Sequence, residues 1–201
     1  MTTTSRFSFQ HRSLVPFAHD YAHGDSEPWH QHDCVQLLHI LSGVVRVETP
    51  VGYWVVPPGR GVWLPAGTPH ALRITGKVAA RTLFIDPLAR ADLPSSCQIV
   101  QISPLLRELI VTSLTLAERY DPGSRDERVY ELILDEIRGM TVLPFGLIEP
   151  QSEALRRLCQ KVRETPGDAW SSLQAAKESN MSERTLSRHF QQQTTLTWSE
   201  W

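Results

Sequence analysis

The chain has 201 residues, enough for one good core or for one core with a small satellite domain. Its 22 acidic and 20 basic side chains leave a formal charge of −2, so it carries no broad electrostatic footprint for nucleic acid. No apolar stretch reaches the roughly 18 residues that a membrane-spanning helix needs. Cys34, Cys97 and Cys159 are scattered and show no CxxC spacing. With a polar first ten residues that lack the apolar centre of a signal peptide, they predict a reduced, cytoplasmic protein with no membrane partner.

Short apolar runs alternate with turn residues over the first half of the chain. Residues 37–41 and 44–49 flank Ser42-Gly43, which reads as a tight hairpin. Further strands are predicted over residues 53–56, 62–64, 70–74 and 78–85, each bounded by Gly or Pro. Pro57, Pro58, Pro65 and Pro69 exclude helix here, so residues 1–102 are predicted to form a small all-β sandwich or barrel. Trp29, Trp54 and Trp63 read as core or pocket wall.

From Ser103 the apolar period becomes helical. Ser103 is suited to an N-cap, with Pro104 at the first helical position. Leu105, Leu106, Leu109, Ile110, Ser113 and Ala117 would share one face of a helix over residues 103–120. After an Asp121-Pro122-Gly123 turn, a second helix over residues 124–138 places Val129, Leu132, Ile133 and Ile137 on one side. The segment 103–140 must bury these stripes against the sandwich, against a second copy of the chain, or against both. A homodimer is expected, split by a charge at Leu109 if that residue faces the partner. Residues 141–150, with Pro144, Gly146 and Pro150, read as a linker. Three helical segments follow, marked by Leu155, Leu158, Cys159 and Val162, then Trp170, Leu173 and Ala176, then Leu186 and Phe190.

The most specific C-terminal stretch runs from Ala175 to Phe190. Ser182 is suited to an N-cap, Glu183 sits at the positive end of the helix dipole, and Met181 can staple onto Leu186. Leu186 and Phe190 would anchor one face, leaving Arg184, Ser187 and Arg188 on the other, where guanidinium and hydroxyl groups can reach base edges. Asn180 tolerates the left-handed backbone that the preceding turn needs. The run Met181-Ser-Glu-Arg-Thr-Leu-Ser-Arg-His-Phe190 resembles the first helix-turn-helix of the AraC/XylS family. The resemblance extends to the linker from Pro144 to Pro150, to Leu155-Arg-Arg-Leu158 and to Trp198-Ser-Glu-Trp201. It implies base contacts from Arg184, Ser187 and Arg188 and phosphate contacts from Thr185 and Gln191. Asn180 and Thr195 stand where that family usually has glycine, Ser172 and Ser179 where it has larger apolar residues, and His189 where leucine is frequent. Residues 151–201 therefore resemble a partial DNA-binding domain holding the first of two such motifs.

Seven of the eight histidines lie within the first 70 residues. His30 and His32, two apart, would point to the same side of a strand, as two ligands of one metal must. His39 lies an odd step from Gln36 and reads as structural. The pattern His30-Gln-His32, Gln36, Gly43, then Gly59, Pro65-Ala-Gly67-Thr-Pro-His70, resembles the two motifs of the cupin superfamily. That resemblance implies a metal site at His30, His32, His70 and Gln36 for one divalent transition ion (zinc, nickel or iron). Gln36 replaces the usual acid, and an amide is a weaker, neutral ligand. The histidines could equally line the pocket of a small-molecule effector. The whole reading is α+β: a cupin-like domain (1–102), a helical packing or dimerisation segment (103–140), a linker (141–150) and the partial DNA-binding domain (151–201). The implied protein is an AraC-type regulator and not an enzyme, binding DNA weakly through a single motif. The alternative is a metal-dependent cupin enzyme, for which Arg46, Arg73 and Arg81 would be candidates to position substrate.

Overall fold

The computed structural model describes residues 3–5, 9, 12–143, 146–148, 150–165, 167–194 and 196–199. Most of residues 1–11, together with Pro144, Glu149, Thr195, Glu200 and Trp201 of the sequence reading, lie outside them. The fold is α+β and divides into two compact units. One is built from the residues up to Thr49 with Trp54–Gly146, the other from Pro50–Tyr53 with the residues from Leu147 onward.

The sheet of the first unit is built from β1 (Thr3–Ser5), β2 (Leu14–Tyr21), β3 (Ser26–His32), β4 (Val35–Thr49), the part from Trp54 onward of β5 (Gly52–Val56), β6 (Arg60–Leu64), β7 (His70–Ile85), β8 (Gln98–Gln101) and β9 (Val142–Leu143). The order β1-β3-β7-β4-β6-β8-β9 is antiparallel except at β1–β3, and β2 also pairs with β7. The two longest strands, β4 and β7, form its centre. Strand alternation divides their side chains between two apolar clusters. Leu38, Ile40, Val45, Val47, Leu72, Ile74, Val78 and Ala80 join Trp54, Val56 and Val62 on one face. On the other, Val35, Leu37, Leu83 and Ile85 meet Trp63 and two helices.

Ser42-Gly43 is not a hairpin corner. β4 runs straight through it, and the pairing with β7 shifts register between Ile40 and Ser42 and again between Ser42 and Val44. Gly43 adopts a φ of 76° there. A Cβ on it would lie 2.4 Å from the Lys77 carbonyl oxygen and 2.5 Å from a Val78 methyl. The glycine thus serves a bulge and a close strand approach, a role that local sequence cannot separate from a turn. Likewise residues 70–74 and 78–85 are one strand, and Val142–Leu143, read as linker, pair with β8.

α1 (Pro104–Ser113) and α2 (Arg125–Arg138) start as the sequence predicts. The Ser103 hydroxyl accepts from the Leu106 amide at 3.0 Å, and the Ser124 hydroxyl caps α2 through the Glu127 amide. Leu106, Leu109, Ile110, Tyr130, Ile133, Leu134 and Ile137 bury themselves against the sheet. α1 ends at Ser113, so Ala117 lies beyond it. Leu105 and Leu132, assigned from their spacing to the buried stripes, are 48% and 40% exposed. Of the three tryptophans read as core or pocket wall, Trp54 and Trp63 are buried and Trp29 is 42% exposed.

The second unit contains α3 (Glu153–Glu164), α4 (Ser172–Glu178) and α5 (Glu183–Thr194), preceded by a short strand, β10 (Gly146–Ile148). Leu155, Leu158, Cys159, Ala175, Ala176, Leu186, Phe190 and Trp198 form its core. The Trp198 indole stacks edge-on against Phe190 at 5.2 Å and donates to the Trp170 carbonyl at 2.9 Å. Leu173, expected inside, is exposed.

Candidate functional site

β3 and β7 place three histidines together. His30 and His70 are direct partners across the antiparallel pair, and His32 lies two residues along β3 on the same side. One ligand nitrogen from each lies within 4.8 Å of the others. The ring centroids are 4.2 Å apart for His30–His70, 5.0 Å for His30–His32 and 5.4 Å for His32–His70. The turn that delivers His70 is tied to the cluster, because the Gly67 amide donates to the His32 carbonyl at 2.8 Å.

The tautomers of two rings follow from their neighbours. His30 Nδ1 lies 2.8 Å from the Pro28 carbonyl and His70 Nδ1 lies 2.8 Å from the Thr68 carbonyl. A carbonyl oxygen only accepts, so each Nδ1 carries the hydrogen and each Nε2 presents a lone pair. Carbonyl-anchored imidazoles of this kind are the usual partners of a metal ion. Burial holds the pKa of His32 down to about 4, helped by the charges of His70 and then His30. Burial also holds His70 down to about 4, against the opposing effect of its bond to Thr68. Both rings are therefore neutral near pH 7, as ligands must be.

His30 and His32 face a cleft of about 230 Å³ that is lined also by Phe17, Tyr21, Glu27, Gln36, Thr82 and Phe84. Gln36 is 6% exposed, and its Oε1 is buried without a hydrogen-bond partner among the described residues, as is His70 Nε2. The Tyr21 hydroxyl donates to Glu27 Oε1, and burial, then the Glu27 carboxylate, raise the tyrosine pKa above its ordinary value. His39 is separate: fully buried on the helix side of the sheet, with Nδ1 3.0 Å from the Arg60 carbonyl. Arg46, Arg73 and Arg81 do not line the cleft. Arg73 and Arg81 pair instead with Glu48 and Asp20.

In the second unit, Asn180 takes a φ of 54° in the turn between α4 and α5. Ser182 caps α5 by accepting from the Thr185 amide at 3.2 Å, and its hydroxyl lies 2.8 Å from the Thr185 hydroxyl. Leu186 and Phe190 are buried, while Arg184, Ser187, Arg188 and Gln191 are exposed and Thr185 is half-buried. Ser179, in a position expected to be apolar, is buried and donates to the Ala175 carbonyl at 2.8 Å.

Residues 16–133 match the AraC-like ligand binding domain. The chain belongs to this family. It is 32% identical over 179 residues to the HTH-type transcriptional regulator NimR of Escherichia coli (strain K12), a match that covers 88% of the chain and 64% of that relative's length. Among solved structures, ToxT of Vibrio cholerae aligns over 94% of the chain and 79% of its own at 9% identity, with a TM-score of 0.46. The DMSP lyase DddQ of Ruegeria pomeroyi DSS-3 aligns over 42% and 45% at 27% identity, with a TM-score of 0.36.

In the AraC-like domain the structure brings together His30, His32 and His70 and sets Gln36 in the same cleft. Two further polar residues there, Tyr21 and Glu27, had no place in the sequence reading. Glu27 lies three residues before His30 in β3, an odd offset, so simple strand alternation puts it on the far side from His30. A bulge reverses this: three steps of β3, from Glu27 to His30, oppose two steps of β7, from Leu72 to His70. Pro28 within that stretch was the available signal, since a proline inside a strand marks an irregular ladder.

Proposed function

We propose that the chain acts as an AraC-type transcription regulator, with the histidine cleft sensing a small molecule or metal and α4–α5 reading DNA. The observation that carries the DNA half is the two-faced α5. Leu186 and Phe190 lock one side into the core, and Arg184, Ser187 and Arg188 project from the other. A helix fixed in this way can enter a major groove and offer guanidinium groups to guanine edges. Thr185 and Gln191 would meet phosphates. From Glu149 to the end of the sequence seven basic residues balance seven acidic ones, so attraction to the backbone is slight. One motif of this kind therefore binds weakly near physiological salt, and a chain extended by a second motif binds tightly and specifically. Selection from random DNA by such an extended form tests this. A motif that changes with Arg184→Ala and Arg188→Ala supports the reading, and a motif indifferent to both contradicts it.

In the sensing half, the carbonyl-anchored Nδ1 atoms leave Nε2 lone pairs of His30 and His70 facing one space with His32, which suits a divalent transition ion such as zinc, nickel or iron. Gln36 lines the same cleft. A bound ion would supply a Lewis-acid anchor for an effector in the cleft. We read the cleft as a binding site and not an active site, in a cytoplasmic protein that forms homodimers. Leu105 and Leu132, exposed on α1 and α2, are the apolar positions open to a second copy.

A further inference from the structure

Glu27 Oε2 lies 3.4 Å from His30 Nε2. Because His30 Nδ1 donates to the Pro28 carbonyl, this Nε2 is a lone pair, and it faces an acceptor-only carboxylate. Two acceptors held this close share a positive charge between them, a proton or a metal ion. Two ligand atoms, each about 2.1 Å from a tetrahedral ion, lie about 3.4 Å from one another. The second carboxylate oxygen, Oε1, is taken by the Tyr21 hydroxyl, which leaves Oε2 toward the histidine. The bulge at Glu27–His30 is what brings the acid to this side of β3.

Resting on the reading of the three histidines as a metal centre, we propose that the Glu27 carboxylate, and not the Gln36 amide, supplies its oxygen ligand, with Tyr21 as the positioning residue that holds Glu27. The acid missing from the usual place on β4 is thus replaced from β3. Charge balance favours the same ligand. Three neutral imidazoles and an amide leave both charges of a divalent ion unbalanced in a half-buried cleft, whereas a carboxylate cancels one of them. The resulting three-nitrogen, one-oxygen set suits a first-row divalent transition ion.

The test is titration of the metal-free 201-residue chain with Co²⁺ alone, followed through its visible ligand-field bands and through competition with a chelator of known affinity. The parent chain takes up one equivalent. Glu27→Gln, nearly isosteric, weakens binding by about 10-fold or more and changes the band shape. Tyr21→Phe weakens binding by a smaller factor, and Gln36→Ala leaves affinity and spectrum close to the parent. The Glu27 assignment is overturned if Glu27→Gln keeps parental affinity and spectrum, or if the loss appears in Gln36→Ala instead. A parent chain that takes up no Co²⁺ overturns the histidine reading itself, a result distinct from either.

Discussion

Gly43→Ala probes the close approach of β4 and β7. The substitution has two separable costs. A non-glycine residue at a φ of 76° loses about 1–2 kcal/mol from left-handed backbone strain, partly offset by about 0.4–1 kcal/mol from the stiffer unfolded chain. The new methyl would also sit 2.4 Å from the Lys77 carbonyl oxygen, a backbone atom that cannot rotate away. Relief requires the strands to part where they pair, so overpacking adds about 1–3 kcal/mol or more. Gly59→Ala is the matched control, with the same φ of 76° and nothing within 4 Å of its Cβ. Urea denaturation should show Gly43→Ala costing about 3 kcal/mol and Gly59→Ala about 1 kcal/mol or less. Equal costs would refute the continuous bulged strand and restore a hairpin corner whose Cβ faces solvent.

Leu109 packs in the core beneath α1, so Leu109→Glu should unfold the domain, costing about 3 kcal/mol or more, and not merely split a dimer. Leu132→Glu should keep the fold and lower the sedimentation coefficient to that of a monomer; a variant still dimeric at every concentration would exclude α2 as the interface. Burial pushes the His39 pKa below its ordinary 6.5, against the bond to Arg60, while Arg107 and Arg81 add to the depression. As the pH falls below about 6.5 the unfolded chain takes up that proton first, so His39's share of stability is present above that pH and lost below it. His39→Gln should therefore flatten the decline of unfolding free energy as the pH falls below about 6.5, and an unchanged slope would contradict burial as the cause. In an extended chain, Arg184→Ala and Arg188→Ala should each relax base preference by about 1–3 kcal/mol at one position, read by sequencing the selected DNA, whereas Gln191→Ala should weaken all sequences alike.

Where chemistry and period agreed, the sequence was readable. Ser103 and Ser124 cap helices because a serine hydroxyl ahead of an apolar stripe has an amide to accept from, and both do so. His30 and His32 share a side through strand alternation, and the turn at Gly67 returns His70 to them. The failures within the strands share one cause: bulges shift which face a residue takes, and they arise from long-range pairing. Gly43 looked like a corner because glycine with φ > 0 serves both structures, and only β7 decides between them. Glu27 was missed because a period of two excludes it, and the extra residue of β3 becomes visible only against Leu72 and His70. Helix stripes were read one residue too wide, since Leu105 and Leu132 fit the period but lie past the edge of the sheet-facing surface.

The central claim is that His30, His32 and His70 form a metal centre, and equilibrium dialysis of the chelator-treated chain against Zn²⁺ or Ni²⁺, with elemental analysis, tests it most directly. Close to one ion per chain is expected, and none beyond background in His70→Ala, which removes a buried Nε2 lone pair from the cluster. A parent chain that stays empty at metal concentrations well above micromolar, or a His70→Ala chain that loads as fully as the parent, would contradict it.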